Sequence, residues 1–363
     1  MGKKGRIMQV LFACFLLLFT ACGQQTENEE KVQTKGGELT MINDREEPLQ
    51  KEEEIEEAIR QETETVNEVE AVKAEETEPR VATAQISDRI PDKYLKYRAE
   101  DGGEIVRISY QTYDYFGDGR EITKNANVYL PNGYSEDRSY NVLYLMHGIG
   151  GDENEWGMVG KASEVKCIMD NLIYYGDIQP FIVVTPNGRS SSRNGKEGSD
   201  YNSFYKFGQE LRNDLIPYMD EHFATYSSEG ESLSVEREHR AMAGLSMGGM
   251  QTINIGMGEC MDLFGYFGAF SAAPTSNTAE KTAELLNDNP YEIYYFYNIC
   301  GTSDVIAYDS AAAAAKNLPE VCSQFDTEKN FMWQEVNGTH NFNVWYLGFY
   351  NFAQLVFVQQ DKL

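Results

Sequence analysis

Basic residues are scarce in this sequence. Its 363 residues contain 31 Lys and Arg against 58 Asp and Glu, so the formal net charge is −27. Proteins that bind nucleic acids need clustered Lys and Arg to neutralise the phosphates. The charge balance therefore argues against nucleic-acid binding, and no nucleic-acid partner is expected.

An apolar run of membrane-spanning length is also lacking at the amino terminus, where the run 8–19 has only about a dozen residues. Lys3, Lys4 and Arg6 precede this run, a pattern typical of an export signal. Small residues then lead to Cys22, and the junction resembles a bacterial lipobox, in which this cysteine becomes the lipidated first residue. The alternatives are a plain secretory signal and an uncleaved anchor. All three place the remaining chain outside the cytoplasm; a lipid on Cys22 would hold it at the extracellular face of the membrane.

Closely spaced cysteine pairs are absent as well. The chain has six cysteines but no C-x-x-C pair, so a zinc site is not expected. Cys167, Cys260, Cys300 and Cys322 remain beyond the signal. Export permits disulfides, but buried free thiols fit the wide spacing equally well, and the sequence leaves the pairing open.

The chain divides into three parts of different composition. Residues 1–22 form the signal. Residues 23–92 hold about twenty Asp and Glu against about eight Lys and Arg, with few aromatic residues. Such a segment buries too little apolar surface to offset the entropy of ordering, which predicts a disordered acidic tether. Residues 93–363 mix apolar, aromatic and polar residues as a globular domain does, and we expect them to form one catalytic domain.

Strand-like and helix-like segments alternate along this third part. Short apolar runs predict strands at 105–110, 122–130, 141–146, 181–185, 240–245, 266–271, 293–300 and 331–336. Longer periodic segments predict helices at 162–175, 204–223, 248–257, 310–322 and 344–358. This alternation indicates an α/β fold with a mostly parallel central sheet and helices on both faces. Chemistry in such folds occurs beyond the carboxyl ends of the strands.

The sharpest local signal is the G-x-S-x-G motif around Ser246, which lies between a predicted strand and a predicted helix. A nucleophile in this position sits on a strained turn, and side chains two residues away on either side would collide. Gly244 and Gly248 avoid that collision. The motif therefore predicts that Ser246 is a nucleophile.

A serine hydroxyl needs a base, and the sequence offers only four histidines. His147 follows a buried strand and is expected to be structural, as are His222 and His239. His340 follows the last predicted strand and precedes the last helix. The chain order nucleophile, acid, histidine places the base there.

The acid is expected after a strand between Ser246 and His340. Asp304 fits, because it follows the strand 293–300, whereas its rivals Asp309 and Asp326 fall in or beside helices. An acid at Asp304 would fix the tautomer of His340 and stabilise its protonated form.

Further side chains are candidates for contacts with the reacting group. The backbone N–H groups of Met247 and of Ile149, or of a neighbour of Ile149, are expected to form an oxyanion hole. Trp156 and Trp345 are candidates for stacking on substrate, with core packing as the alternative for each. Asn187 either contacts substrate or caps a turn. The polar segment 188–203 is expected to form a mobile loop over the cleft.

Several motifs occur in the order found in one known family. Together they closely resemble the feruloyl esterase domains attached to bacterial xylanases, which are esterase D-like enzymes of carbohydrate esterase family one, over roughly residues 94–360. The motifs are His147-Gly-Ile-Gly-Gly, Glu155-Trp156, Val184-Thr-Pro-Asn187, Glu238-His-Arg-Ala-Met-Ala-Gly-Leu-Ser-Met-Gly-Gly-Met250, Ser271-Ala-Ala-Pro274, Cys300-Gly-Thr-Ser-Asp304 and Gly338-Thr-His340-Asn-Phe-Asn-Val-Trp345.

The resemblance implies an α/β-hydrolase fold with neither a metal nor an organic cofactor. The family's triad falls on Ser246, Asp304 and His340. The implied substrates are feruloyl or acetyl esters on xylan, so the expected partner is an ester-substituted plant polysaccharide. Two features depart from the family pattern: Asn341, where Asp is common, and the anchor, which replaces a xylanase partner.

Other functions stay open at this point. Enzymes of the same fold transfer acyl groups to another alcohol, as mycolyltransferases do, or cleave siderophores or a glutathione thioester; export argues against the thioester. A non-catalytic, surface-anchored glycan-binding lipoprotein is the alternative outside enzymes, and a broken triad would be its mark.

Overall fold

The computed structural model describes residues 84, 86–192, 198–227 and 232–358. The signal, Cys22 and nearly all of the predicted tether lie outside these residues. Within the part that is described, no helix combines the length and the apolar character needed to cross a membrane.

An eight-stranded sheet organises the described domain. The strands run in the order β1-β2-β4-β3-β5-β6-β7-β8 across the sheet. β1 and β2 pair antiparallel, as do β2 and β4, and every other pairing is parallel. The strands are β1 Glu104–Tyr113, β2 Glu121–Leu130, β3 Val142–Met146, β4 Ile182–Pro186, β5 Arg240–Leu245, β6 Tyr266–Phe270, β7 Tyr295–Gly301 and β8 Phe331–Val336.

Helices cover both faces of this sheet. They are α1 Glu164–Tyr174; α2, made of Phe207–Glu210, Leu211–Leu215 and Ile216–His222; α3, made of Met247–Gln251 and Thr252–Met257; α4 Ala279–Leu286; α5 Tyr308–Val321; and α6 Phe342–Ala353. Short 3₁₀ segments span Asp92–Leu95, Gly198–Lys206 and Leu233–His239. Apolar residues of α2–α5 pack on one face and those of α1 and α6 on the other. The predicted α/β-hydrolase architecture is confirmed.

The central strands show why the sequence folds in this way. All five residues of β3 and all five of β4 are buried. Continuous apolar runs are typical of parallel strands covered on both faces, whereas a half-exposed strand would alternate. The chain leaves β3 for β4 on one side and then returns to place β5 on the other side. This reversal creates the crevice at which open α/β sheets bind ligands.

Some helices differ from the sequence-based expectation. The predicted helix 204–223 contains a π-helical turn at Leu211–Leu215, just before Pro217, which lacks the N–H for a regular helical hydrogen bond. The predicted helix 344–358 begins at Phe342 and ends at Ala353 instead, because the chain turns at Gln354. Helix α4 was not predicted, although Thr278 caps it by accepting a hydrogen bond from the N–H of Lys281.

The folded domain begins before the predicted boundary at residue 93. The Ser87 N–H donates to Asn351 Oδ1 (3.1 Å), and the Asn351 side chain donates back to the Ser87 carbonyl (2.9 Å). Ile86 and Ile90 pack on the same core cluster as α6. The last residues of the predicted tether are therefore part of the domain, because Ile86 and Ile90 join its core and Ser87 is hydrogen-bonded to α6.

Candidate active site

Ser246 occupies a strained turn between β5 and α3. Its φ of 52° and ψ of −113° lie where residues with side chains are rare. A Cβ on Gly244 would lie 2.6 Å from the carbonyl carbon of Gly248, and a Cβ on Gly248 would lie 2.5 Å from the Met146 carbonyl oxygen. The two glycines are thus required by close packing against each other and against β3, as the motif predicted.

His340 lies between β8 and α6 and faces the serine. Its Nε2 is 3.0 Å from Ser246 Oγ, and its Nδ1 is 2.8 Å from Asp304 Oδ2. Asn341 caps α6 by accepting a hydrogen bond from the N–H of Asn343 (3.0 Å). The Trp345 ring packs edge-on against the imidazole at 5.1 Å. The helix start and this ring together fix the orientation of His340.

Asp304 is buried in the turn that follows β7. Its Oδ1 accepts hydrogen bonds from the N–H groups of Ile306 (3.0 Å) and Ala307 (2.9 Å), and Oδ2 faces His340. Burial alone would raise the pKa of this carboxyl, but hydrogen bonds from the Ala307 amide and from His340 hold it below its ordinary value. Asp304 is therefore ionised near neutral pH. It accepts the Nδ1 proton of His340, which leaves Nε2 free to accept the serine proton.

The loop of residues 147–151, here called the oxyanion loop, follows β3 and lies beside the nucleophile. A Cβ on Gly148 would lie 3.5 Å from Ser246 Cβ. Ile149 is 46% exposed at this point. On the other side of the serine, Met247 is the first residue of α3, and a first-turn N–H has no acceptor within its own helix. The structure thus places Gly148, the chain neighbour of Ile149, next to Ser246, and Met247 at the first position of the helix that follows the serine.

His147 is buried behind this loop and does not face the serine. Its Nε2 accepts the Gly188 N–H (2.8 Å), so its Nδ1 carries the proton and donates to the Gly148 carbonyl (2.7 Å). Burial lowers the pKa of His147 from 6.5 to about 4. The Glu155 carboxylate accepts the Gly148 N–H (2.7 Å). His147 is a neutral structural group, as expected.

Two of the proposed substrate contacts are placed in the core instead. Trp156 is fully buried among aromatic side chains, and its indole N–H donates to the Met146 carbonyl (3.0 Å). Trp345 is only 7% exposed and supports His340. The structure favours the packing alternative for both rings, because neither offers an open face to a ligand.

Asn187 and the residues after it form a buried turn. Asn187 is 2% exposed, and its Oδ1 accepts the Arg189 N–H (3.1 Å), which favours the turn-capping alternative. Residues 188–191 are buried, in contrast to the predicted mobile loop, and residues 198–206 lie in a 3₁₀ segment. Residues 193–197 lie outside the described part of the chain. Sequence reasoning missed Arg189, whose only signal was its place just beyond a buried strand.

The cysteines of the domain are not placed to act as the nucleophile. The four cysteines beyond the signal are buried free thiols. Cys300 Sγ lies 3.7 Å from Asp304 Oδ2, and burial raises the pKa of this thiol to about 12, so it stays protonated. Among the described residues, no group of three or more His, Cys, Asp and Glu side chains is arranged to hold a metal ion.

Comparison with known sequences places this site in a family. The sequence model of the Esterase family matches residues 119–347. An endo-1,4-beta-xylanase Y of Acetivibrio thermocellus is 33% identical over 252 residues, which are 66% of this chain and 21% of the relative. An endo-1,4-beta-xylanase/feruloyl esterase of Xylanibacter ruminicola is 34% identical over 211 residues, which are 55% and 26%. The chain thus spans about a quarter of these relatives or less.

Solved structures agree with this placement. The feruloyl esterase module of Clostridium thermocellum, in complex with sinapinate, is 28% identical with a TM-score of 0.63, covering 77% of this chain and 96% of the module. A ferulic acid esterase of Anaeromyces mucronatus is 27% identical with a TM-score of 0.62, covering 76% and 98%. The resemblance to xylanase-associated feruloyl esterase domains is confirmed, and the chain belongs to the Esterase family.

Proposed function

We propose that this protein is a serine esterase that removes acyl groups, feruloyl groups above all, from plant cell-wall polysaccharide. One observation carries the proposal: the unbroken hydrogen-bonded line from Ser246 Oγ through His340 to Asp304, with distances of 3.0 and 2.8 Å. The same intact line argues against the non-catalytic alternative, for which a broken triad was expected.

The geometry supports a two-step acyl transfer. His340 Nε2 takes the proton as Ser246 Oγ bonds to the ester carbonyl carbon, and the amides of Met247 and Ile149 stabilise the oxyanion. The bond to the sugar oxygen then breaks, and His340 returns the proton to that oxygen. Water repeats the sequence on the acyl-enzyme: His340 takes a proton from water, and Ser246 regains its proton as the acid leaves. Asp304 stabilises the protonated imidazole in each step.

Exposed apolar side chains on the loops that carry the site residues support an aromatic acid over acetate. Ile149 is exposed on the oxyanion loop, and Val305 and Ile306, directly after Asp304, are 98% and 55% exposed. Exposed apolar surface near a site suits a phenyl ring, which gains from burial, more than a methyl group. The names of the relatives point the same way, since three of the four named above are described as feruloyl or ferulic acid esterases.

We also propose that the enzyme acts outside the cell, held by a lipid on Cys22. The support is the basic residues, the short apolar run and the cysteine that follows it. Metabolic labelling with an alkyne fatty acid would test the anchor: we expect label on the wild type and none on Cys22→Ser. Equal labelling of both would contradict it.

The enzymatic proposal is tested by hydrolysis of methyl ferulate and 4-nitrophenyl acetate by wild type and Ser246→Ala. We expect wild type to cleave both, with a higher kcat/KM for the ferulate, and the variant to cleave neither. Cleavage of the acetate alone would replace the feruloyl assignment with a deacetylase. A folded wild type that cleaves neither would contradict the esterase, and added sugar acceptors would reveal acyl transfer.

A further inference from the structure

Side chains fix successive peptide groups of the oxyanion loop. The N–H of Gly148 donates to Glu155 Oε2 (2.7 Å). The carbonyl of Gly148 accepts from His147 Nδ1 (2.7 Å) and from the Gly151 N–H (3.1 Å). The peptide group between Gly148 and Ile149 is thereby held through its oxygen.

Holding this oxygen also aims the next amide. A trans peptide is planar, and its C=O and N–H point in opposite directions. Because the Gly148 oxygen is directed at the His147 ring, the Ile149 N–H is directed away from that ring. The hypothetical Gly148 Cβ at 3.5 Å from Ser246 Cβ places the nucleophile next to this peptide group. The amide proposed to stabilise the oxyanion is therefore aimed by its own carbonyl partner.

Arg189 holds two further carbonyls of the oxyanion loop, those of Ile149 and Gly151. Its guanidinium donates to the Ile149 carbonyl through Nη2 and to the Gly151 carbonyl through Nη1 (2.6 Å). The side chain is 1% exposed and lies over the Phe204 ring, 4.7 Å from its centroid. A planar guanidinium presents several donors in fixed directions, so it can restrain two carbonyls at once.

The arginine is itself anchored by the segment 187–189. Lys124 Nζ donates to the carbonyls of Asn187 and Arg189 at 2.8 Å each. Within the same segment, the Gly188 N–H donates to His147 Nε2 and so selects the tautomer that binds the oxyanion loop. One short turn after β4 thus carries Arg189 and fixes the tautomer of His147, two of the side chains that hold the loop.

We propose that Arg189 is a positioning residue for catalysis, which keeps the Ile149 amide aimed at the developing oxyanion. This inference rests on the proposed esterase function. Arg189 acts through the oxyanion loop and does not contact the reacting atoms. Its effect should therefore fall on stabilisation of the tetrahedral state and leave ground-state binding unchanged.

Arg189→Met tests this role, since methionine retains much of the packing over Phe204 and removes both hydrogen bonds. We expect kcat for methyl ferulate to fall about 10- to 100-fold, because loss or misplacement of an oxyanion donor has effects of this order or larger. KM should stay within about twofold. Inhibition by phenylboronic acid, which forms a tetrahedral adduct with the serine, should weaken by about the same factor as kcat.

Arg237→Met is the matched control. Arg237 is also a buried guanidinium that donates to carbonyls, those of Met261, Phe264 and Glu292 at 2.7–2.9 Å. It precedes the amino end of β5, away from Ser246, which follows that strand's carboxyl end. We expect this variant to lose thermal stability while kcat and boronate affinity stay within about twofold of wild type.

A folded Arg189→Met protein with wild-type kcat and boronate affinity would overturn the inference. If that variant shows no cooperative unfolding transition, Arg189→Lys decides. The single ammonium group of lysine cannot reproduce the two directed hydrogen bonds of the guanidinium, so kcat should fall several-fold. An unchanged kcat would again overturn the inference. An inactive wild type would instead contradict the esterase proposal, so the two failures are distinguishable.

Discussion

Two buried polar clusters lie beyond the carboxyl ends of the parallel strands, one after β5, β7 and β8 and the other after β4, and they differ in whether they reach the surface. In the first, the Asp304 side chain is enclosed, but the hydrogen-bonded line continues through His340, whose side chain is 16% exposed, to Ser246. In the second, Lys124 and Glu210 are completely buried and 2.6 Å apart.

The second cluster has no open end, because hydrogen-bond partners engage Lys124 and both carboxylate oxygens of Glu210. All three Lys124 donors are engaged, by Glu210 and by the carbonyls of Asn187 and Arg189. The Glu210 carboxylate also accepts hydrogen bonds from Tyr110 (2.6 Å) and Ser190 (2.7 Å). A closed cluster of this kind can hold a turn in place but cannot exchange a proton with substrate. Buried charge therefore supports the fold in the second cluster, whereas in the first cluster it belongs to the proposed catalytic site.

The largest effect should come from breaking the open cluster. Asp304→Asn offers His340 an amide in place of a carboxylate, so the imidazole tautomer and its protonated form both lose support. We expect kcat for methyl ferulate to fall about 10³- to 10⁴-fold with little change in KM. Steady-state kinetics would check this, with Asp309→Asn as the control at the rival acid, exposed on α5. Equal losses in both variants would remove Asp304 from its assigned role.

Breaking the closed cluster should lower the stability of the fold. Lys124→Met leaves Glu210 charged and buried without its cation, and we expect the free energy of unfolding to fall by about 3–5 kcal/mol. Adding Glu210→Gln removes that charge and should restore at least about 1 kcal/mol. Urea unfolding would measure both variants.

A surface pair provides the control for this prediction. Lys316 pairs with Glu335 at 2.6 Å, but the lysine side chain is 57% exposed. Lys316→Met should therefore change stability by less than about 1 kcal/mol. A Lys124→Met protein as stable as Lys316→Met would contradict the view that the buried pair supports the fold.

The pH dependence of stability should reveal the neutral His147 that is hydrogen-bonded to the oxyanion loop and to Gly188. Its pKa is about 4 when folded and 6.5 ordinarily, so the unfolded chain binds the proton more readily. The contribution of neutral His147 to the free energy of unfolding is fully present above about pH 6.5 and is lost as the pH falls towards about 4. The loss is on the order of 3 kcal/mol. Urea unfolding of His147→Gln should show a correspondingly shallower decline over this range, and equal declines would refute the assignment.

The smallest effect should come from the helix cap next to His340. Asn341→Ala removes the acceptor for the Asn343 N–H. We expect a loss of about 1 kcal/mol in unfolding free energy, measured by thermal unfolding. Asn341→Asp keeps an acceptor and should match wild type within a few tenths of a kcal/mol. A drop in kcat larger than about tenfold for Asn341→Ala would mean that the cap also aligns the base.

The parts of this fold that could be predicted are those with local signals. Buried apolar runs identified the central strands, and Ser246 stood out because its turn demands glycines on both sides. His340 and Asp304 followed from their places after successive strands, and the structure brings all three together. Their roles in catalysis stay predictions for the experiments above.

The parts that sequence reasoning missed depend on contacts between distant residues. Arg189 carries no motif, and its relation to Ile149 exists only because the turns after β3 and β4 meet at one edge of the sheet. The aromatic character of Trp156 suggested either stacking on substrate or core packing, and the neighbouring rings of Phe270 and Phe342 favour core packing. Periodicity alone likewise could not show the π-helical turn before Pro217.

Covalent labelling would identify the nucleophile directly. The intact protein would be treated with a fluorophosphonate probe, which reacts with activated serines, and the labelled residue identified by peptide mass spectrometry. We predict one probe per protein, on Ser246, with labelling strongly slowed in Asp304→Asn. Label on a different residue, or none on the folded wild type, would contradict the assignment of Ser246, His340 and Asp304 as the catalytic machinery.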